Sequence, residues 1–240
     1  MDFLVDRIEQ LFTGIGGTFL ISPKVIEEKL RGVKAFIFDW DGVFNNGEKN
    51  ENGSSNFNEV DSMGINMLRF SFWLLNEELP FTAIISGERN KASFYFCERE
   101  HFHGCYFRVM NKLEALEHFC HLHSLKHEEV AYVFDDVLDI SIADVCGLSI
   151  LVKRKSNPLF IEYIKTNKLA DYITGAESGN FAVRESCELL MGINGRYEEA
   201  ISSRSSNADN YKEYLGARNG IATGFYSAVA GKIVTQHPGS

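Results

Sequence analysis

No apolar run in this 240-residue chain approaches the roughly 18 residues that a membrane-spanning helix needs. The opening M-D-F-L-V-D-R is acidic and amphipathic and does not read as a signal peptide. Cationic residues are in short supply: 24 Lys and Arg against 33 Asp and Glu leave a net charge of −9. Neither nucleic acid nor an anionic membrane is an expected partner for such a chain. The five cysteines, at 97, 105, 120, 146 and 187, include no C-x-x-C pair. Their odd number fits reduced thiols, hence a cytoplasmic location, better than a disulfide framework. Internal repeats and low-complexity tracts are absent. The Gly-rich G-I-G-G-T at 14–18 lacks both a preceding strand and a following Lys-Ser/Thr, so it reads as a helix-to-helix connection rather than a phosphate loop.

What is present is an ordinary soluble composition, 45% hydrophobic and 24% charged, long enough for one well-buried domain with extensions. The chain is organised around residues 33–47, V-K-A-F-I-F-D-W-D-G-V-F-N-N-G. The run from Ala35 to Phe38 has the unbroken apolarity of a buried parallel strand. It ends in two carboxylates one residue apart, Asp39 and Asp41, where open α/β sheets place their ligands. Two like charges there are costly unless a cation or a phosphoryl group uses them, although a loop-capping role is the plain structural alternative.

Residues 1–32 read as a helical extension, with a second short helix starting at Ser22-Pro23. After Gly47, the Asn52-Gly53 turn signal predicts a small β-hairpin over 44–60, projecting across the carboxyl end of the sheet. A helix from Asp61 follows. Strands are then expected at 81–85, 105–108, 130–134, 148–152 and 172–173, separated by helices, with a last helix over 181–191. That alternation means a parallel sheet covered by helices on both faces. These elements form a domain spanning 33–196. Residues 197–240 read as a C-terminal extension: S-S-R-S-S-N looks like a linker, and the aromatic stretch 211–233 packs either on its own core or on a neighbouring subunit.

Three strand ends deliver polar sets to one rim: Asp39 with Asp41, Ser86, and Asp135 with Asp136 and Asp139; Lys112 opens the helix after a fourth strand. This combination suits phosphoryl transfer. A carboxylate can accept the phosphoryl group as an aspartyl-phosphate. Mg²⁺ prefers hard oxygens, available from Asp39, the Asp41 carbonyl and Asp135. The Ser86 hydroxyl and Lys112 ammonium can neutralise the transferring oxygens. Asp41 can protonate the leaving alcohol and then activate water. Taken singly, Ser86 could be a helix cap, Lys112 a solvated lysine and Asp135-Asp136 a capped turn.

The segments D-W-D-G-V-F, I-I-S-G-E, Lys112 and Y-V-F-D-D-V-L-D resemble the four signature motifs of the haloacid dehalogenase superfamily. Within it, the chain is similar to the 3-deoxy-D-manno-octulosonate 8-phosphate phosphatases over about residues 33–194, including F-N-E-V-D-S-M-G-I and A-V-R-E-S-C-E-L-L. The resemblance implies a Rossmann-like three-layer α/β sandwich in which neither gap between motifs can house a cap domain. It makes Asp39 the nucleophile, Asp41 the general acid and base, and Ser86, Gly87 and Lys112 the phosphate clamp. Asp39, Asp41 and Asp135 would hold Mg²⁺, with Asp136 and Asp139 orienting the metal's water or Lys112. Capless relatives close an open site by assembling, so a homo-oligomer, typically a tetramer, is implied. The expected activity is Mg²⁺-dependent hydrolysis of a sugar-acid phosphate, a 3-deoxy-octulosonate 8-phosphate or a nonulosonate 9-phosphate.

Departures bear on the substrate. Motif two continues Gly87-Glu88-Arg89 where the group usually has Gly-Arg, Phe134 stands where it usually has Gly, and G-A-E-S-G-N replaces its Gly-Gly-x-Gly run. Six of seven histidines fall between 101 and 127, beside Cys97, Cys105 and Cys120. The C-x3-H-x-H-x-C pattern invites zinc, but structural zinc sites use tighter cysteine pairs, and loop or helix histidines are the favoured reading. The competing function is a catalytically silent binding or regulatory domain of the same fold, against which the intact Asp39, Asp41, Lys112 and Asp135 speak.

Overall fold

The computed structural model describes residues 2–237. Among these residues the apolar runs become a nine-stranded sheet in the order β1-β7-β6-β5-β2-β3-β4-β8-β9. Its strands are β1 (Thr18–Phe19), β2 (Ala35–Phe38), β3 (Phe81–Ile85), β4 (Gly104–Phe107), β5 (Val130–Phe134), β6 (Leu148–Lys153), β7 (Tyr172–Glu177), β8 (Gly224–Val229) and β9 (Lys232–Thr235). Pairing is parallel from β7 through to β8. Only the outermost strands, β1 on β7 and β9 on β8, run antiparallel.

Alternating residues of each strand face opposite helical layers. Phe36 and Phe38 join one apolar cluster, Ala35 and Ile37 the other. The first layer holds α1 (Asp2–Gly14), α2 (Pro23–Leu30), α3 (Glu59–Asn76), α4 (Lys91–Arg99), α8 (Ala182–Ile193), α9 (Tyr197–Ser205) and α10 (Asp209–Asn219). The second holds α5 (Lys112–His123), α6 (Ile140–Ala143) and α7 (Pro158–Asn167). The helix starts follow the cap chemistry: Ser22 accepts from the Val25 amide with Pro23 at the first position, and Asn58 accepts from the Asp61 amide at 2.8 Å.

The chain runs from β2 outward through β3 and β4, then crosses back to β5 and continues to β6 and β7. Direction therefore reverses between β2 and β5, whose carboxyl ends carry Asp39 and Asp135. A crevice at such a switch point is where α/β sheets bind ligands.

Two local expectations are corrected. No strand forms in the loop 44–58, where a hairpin was expected. The Asn52-Gly53 turn is there, with the Gly53 amide donating to the Asn50 carbonyl and the Asn50 amide to the Ser54 carbonyl. However, asparagine side chains take the amides a ladder would use: Asn45 accepts from Gly42 and Gly47, Asn46 from Glu48, and Asn50 from Asn52 and Ser54. The S-S-R-S-S-N stretch is likewise no linker over most of its length, since α9 runs to Ser205.

The aromatic stretch after it packs on the chain's own core. Tyr211 and Tyr214 of α10 are both buried, and their hydroxyls donate to the Asn66 side chain and carbonyl at 3.0 Å each. Tyr214 also lies 5.1 Å from the Phe70 ring. Replacing Tyr214 with Ala should cost about 3–5 kcal/mol, as for other large-to-small core changes. Urea unfolding checks this; an unchanged midpoint would mean that α10 adds nothing to the core.

Candidate active site

Trp40 is wholly buried and stacks on Phe44 at 4.8 Å, which anchors the turn after β2. Asp39 and Asp41 flank it just past the end of β2. Gly42 follows at φ 91°, and a Cβ there would overlap Arg154 and Asp135, so the turn demands glycine.

Asp39, Lys112, Asp135 and Asp139 converge, with exposures of 5, 3, 1 and 1%. Lys112 Nζ lies 2.7 Å from Asp39 Oδ1 and 2.5 Å from Asp139 Oδ1. The Tyr132 hydroxyl also donates to Asp139 Oδ1. Carboxylate oxygens of Asp39, Asp135 and Asp139 lie within 4.8 Å of one another, the one group among the described residues with metal-ligand spacing. Asp139 Oδ1 is thus already committed to Lys112 and Tyr132.

Burial raises the Asp39 carboxyl above the ordinary carboxylate range; Lys112 pulls it down and the Asp139 charge pushes it up again. Asp135 is raised by burial and then by the Asp39 charge, against the pull of Arg154. Burial alone would lower Lys112, but Asp39 and Asp139 hold it raised. The pocket sets three carboxyl groups, Asp39, Asp135 and Asp139, against two cations, Lys112 and Arg154.

Asp41 lies apart from this triad. Its Oδ1 accepts from the Ser55 hydroxyl, and its Oδ2 meets Lys49 Nζ at 2.6 Å. Ser86, 1% exposed at the end of β3, accepts from the Glu88 amide at 3.2 Å, and β3 is the immediate neighbour of β2. Gly87 stands by Met110 and Leu138, with Glu88 exposed and Arg89 over the Phe94 ring at 5.5 Å. Asp136 is not brought in: it is exposed, and its carboxylate caps the turn after β5 through the Val137 amide.

Arg154, at the carboxyl end of β6, pairs with Asp135 Oδ2, and its own Nε is buried without a partner among the described residues. Sequence reasoning missed it, although the rule that located the aspartates, a polar residue just past a parallel strand, applies to it equally. Lys49, Ser55 and Asn90 were also missed, having no motif to mark them. The histidine–cysteine group disperses into separate networks. His103 Nδ1 accepts from the Thr82 amide, with burial pushing that imidazole down to about 3, while His118 bonds the Tyr106 hydroxyl and His101 the Ile221 carbonyl.

No family model matches the chain. Among curated proteins, the 3-deoxy-D-manno-octulosonate 8-phosphate phosphatase KdsC of Salmonella typhimurium is 33% identical over 184 residues, 75% of this chain and 90% of that protein. The Escherichia coli K12 protein of the same name is 32% identical over the same shares. The chain belongs to this phosphatase family of the haloacid dehalogenase superfamily. A structure of the 3-deoxy-D-manno-octulosonate 8-phosphate phosphatase from Moraxella catarrhalis, in complex with magnesium, phosphate and KDO, is 25% identical with a TM-score of 0.62, covering 74% of this chain and 97% of that one. A probable YrbI-family phosphatase from Pseudomonas syringae is 29% identical with a TM-score of 0.64, covering 75% and 97%.

In this phosphatase the raised carboxyls have a thermodynamic consequence. Above the ordinary Asp value of 3.8, folded Asp135 keeps a proton that the unfolded chain has released. Stability from this source is full at low pH and is lost as pH rises toward the raised value. Relative to Asp135→Asn, which cannot ionise, the metal-free protein should therefore lose stability between about pH 5 and about pH 8. Urea midpoints in EDTA measure the difference, and a wild-type advantage that grows with pH would contradict it.

Proposed function

We propose that the chain is a Mg²⁺-dependent phosphomonoesterase of a sugar-acid phosphate, acting through an aspartyl-phosphate on Asp39. The observation that carries this reading is the buried grouping of Asp39, Asp135 and Lys112, in which the proposed nucleophile lies 2.7 Å from an ammonium and within ligand spacing of a second carboxylate. The substrate class follows the names of the curated relatives, 3-deoxy-D-manno-octulosonate 8-phosphate phosphatases, with a nonulosonate 9-phosphate as the neighbouring possibility raised by Glu88.

The donor set fits the metal. Buried carboxylate oxygens are hard ligands, and a divalent cation would take the place of the proton that Asp135 otherwise keeps. Asp39, Asp135 and the Asp41 carbonyl would hold it, and bound Mg²⁺ would supply the positive charge that lets an anionic phosphate approach an anionic nucleophile.

The chain's own residues do the rest. Lys112, held by Asp139, draws charge off the phosphoryl oxygens together with the Ser86 hydroxyl and the Gly87 backbone. An Asp39 oxygen bonds to phosphorus as the bond to the sugar oxygen breaks, and Asp41 gives that oxygen a proton. Asp41 then takes a proton from water as the water oxygen bonds to phosphorus and the bond to Asp39 breaks, releasing inorganic phosphate.

A homo-oligomer, a tetramer, belongs to the same reading. Nothing among the described residues forms a cap over the rim, and Met110, Val137 and Leu138 on the loops after β4 and β5 are 65, 60 and 45% exposed. Size-exclusion chromatography with light scattering should give a multiple of 27.1 kDa, and a monomer at working concentration would contradict it.

Phosphate release from a sugar-phosphate panel should require Mg²⁺, stop in EDTA and resume on adding Mg²⁺ back. Asp39→Asn should abolish it while leaving a cooperative thermal transition. Turnover retained by that variant would refute the nucleophile.

A further inference from the structure

The loop 44–58 is mostly exposed, yet it buries two consecutive hydroxyls, Ser54 at 9% and Ser55 at 2%. A polar loop gains nothing by burying serines unless something inside receives them. The receiver is Asn90, fully buried at the start of α4. Its Oδ1 accepts from the Ala92 amide at 2.9 Å as the helix cap and from Ser54 Oγ at 2.9 Å, while its Nδ2 donates to Ser55 Oγ at 2.7 Å.

The cap bond settles the orientation of the carboxamide. Flipped, its NH₂ would face the Ala92 amide donor, so Oδ1 must point to the helix and Nδ2 to Ser55. A serine hydroxyl has one proton. With Nδ2 donating into it, Ser55 sends that proton to Asp41 Oδ1. The Trp40 indole donates to the Ser55 carbonyl at 3.4 Å, tying the same residue to the turn that carries Asp41. The two oxygens of Asp41 are thus unequal. Oδ1 is held from inside through a buried, directed chain, whereas among the described residues Oδ2 meets Lys49, a side chain 34% exposed.

We propose that Ser55, oriented by Asn90, is a positioning residue that fixes Asp41 by Oδ1 and leaves Oδ2 to exchange the proton with the leaving oxygen and then with water. Lys49 is the partner that yields when substrate enters. This rests on the phosphatase reading above, and its contribution is confined to proton transfer. In the first half-reaction the phosphorus–oxygen bond to the leaving group breaks and that oxygen takes the proton from Asp41. In the second, water returns a proton to Asp41 as its oxygen bonds to phosphorus.

A role confined to proton transfer has a signature that general damage lacks. Phenyl phosphate and p-nitrophenyl phosphate have similar shapes, but phenoxide needs a proton to depart and p-nitrophenoxide leaves as a stable anion. For Ser55→Ala, kcat/KM should fall about 10- to 100-fold on phenyl phosphate, part of the span usual for general acids. The fall on p-nitrophenyl phosphate should be at least about tenfold smaller. Asn90→Asp keeps the cap oxygen and loses the donor to Ser55, so it should shift the ratio the same way. Ser55→Thr keeps the hydroxyl and should restore it. Equal losses on both substrates in Ser55→Ala and Asn90→Asp, or no loss on either, would overturn the proposal. A wild-type protein that releases phosphate neither from these two nor from the sugar-phosphate panel with Mg²⁺ present would instead sink the phosphatase reading, and this role with it.

Discussion

One buried ammonium organises this rim. Lys112 is 3% exposed between two carboxylates, 2.7 Å from Asp39 and 2.5 Å from Asp139. Taking three charges out of water is expensive, and removing one member of such a set commonly costs about 3–5 kcal/mol by stranding the others. The placement persists because three separate strands converge on it: β2 delivers Asp39, β5 delivers Asp139 through the turn that follows, and the loop after β4 starts the helix that carries Lys112. Even so the set is crowded, since Asp135 adds a third carboxyl group, which keeps its proton and which the Arg154 guanidinium, 27% exposed, meets only from one side. A rim built this way is stable as a protein and still attractive to a divalent cation.

The flanking segments serve the same rim indirectly. β1 closes one edge of the sheet against β7, and β8 with β9 extends the other beyond β4. A parallel sheet with unprotected edges would be prone to pairing with other chains, and these short additions cover what would otherwise be outer strands. On one face, α10 presses Tyr211 and Tyr214 onto α3, the helix that follows the loop over the site. Buried polar pairing continues there: Arg69 donates to the Glu100 and His101 carbonyls, and Glu100 accepts from Ser62 and Arg218.

How much of this was legible in the residues follows from where the information lies. The strand ends could be read because an unbroken apolar run that stops at a carboxylate, as Ala35–Phe38 does before Asp39, is the pattern of a buried strand reaching the rim of its sheet. The same holds for Phe134 before Asp135. The α/β alternation and the absence of room for a cap between motifs were legible for the same reason. The loop over the site was not, because Asn52-Gly53 marks a turn but says nothing of its flanks, and the Asn45, Asn46 and Asn50 side chains compete for the amides that strands would share. The end of α9 was hidden by serines that look flexible in isolation but back-bond to their own helix, as Ser206 does to the Ser202 carbonyl. Arg154 and the Ser55–Asn90 chain were invisible because their meaning is purely spatial: each is an ordinary polar residue until the fold sets it against Asp135 or Asp41.

On this reading phosphorus becomes bonded to Asp39 during turnover. Quenching the protein in acid during turnover with substrate and Mg²⁺, then reducing with borohydride, converts an acyl phosphate on an aspartate into homoserine, which peptide mass spectrometry locates. Homoserine is expected at position 39, dependent on both substrate and Mg²⁺. Conversion at Asp41 or Asp135 instead, or none at any aspartate in a protein that is turning over, would contradict it.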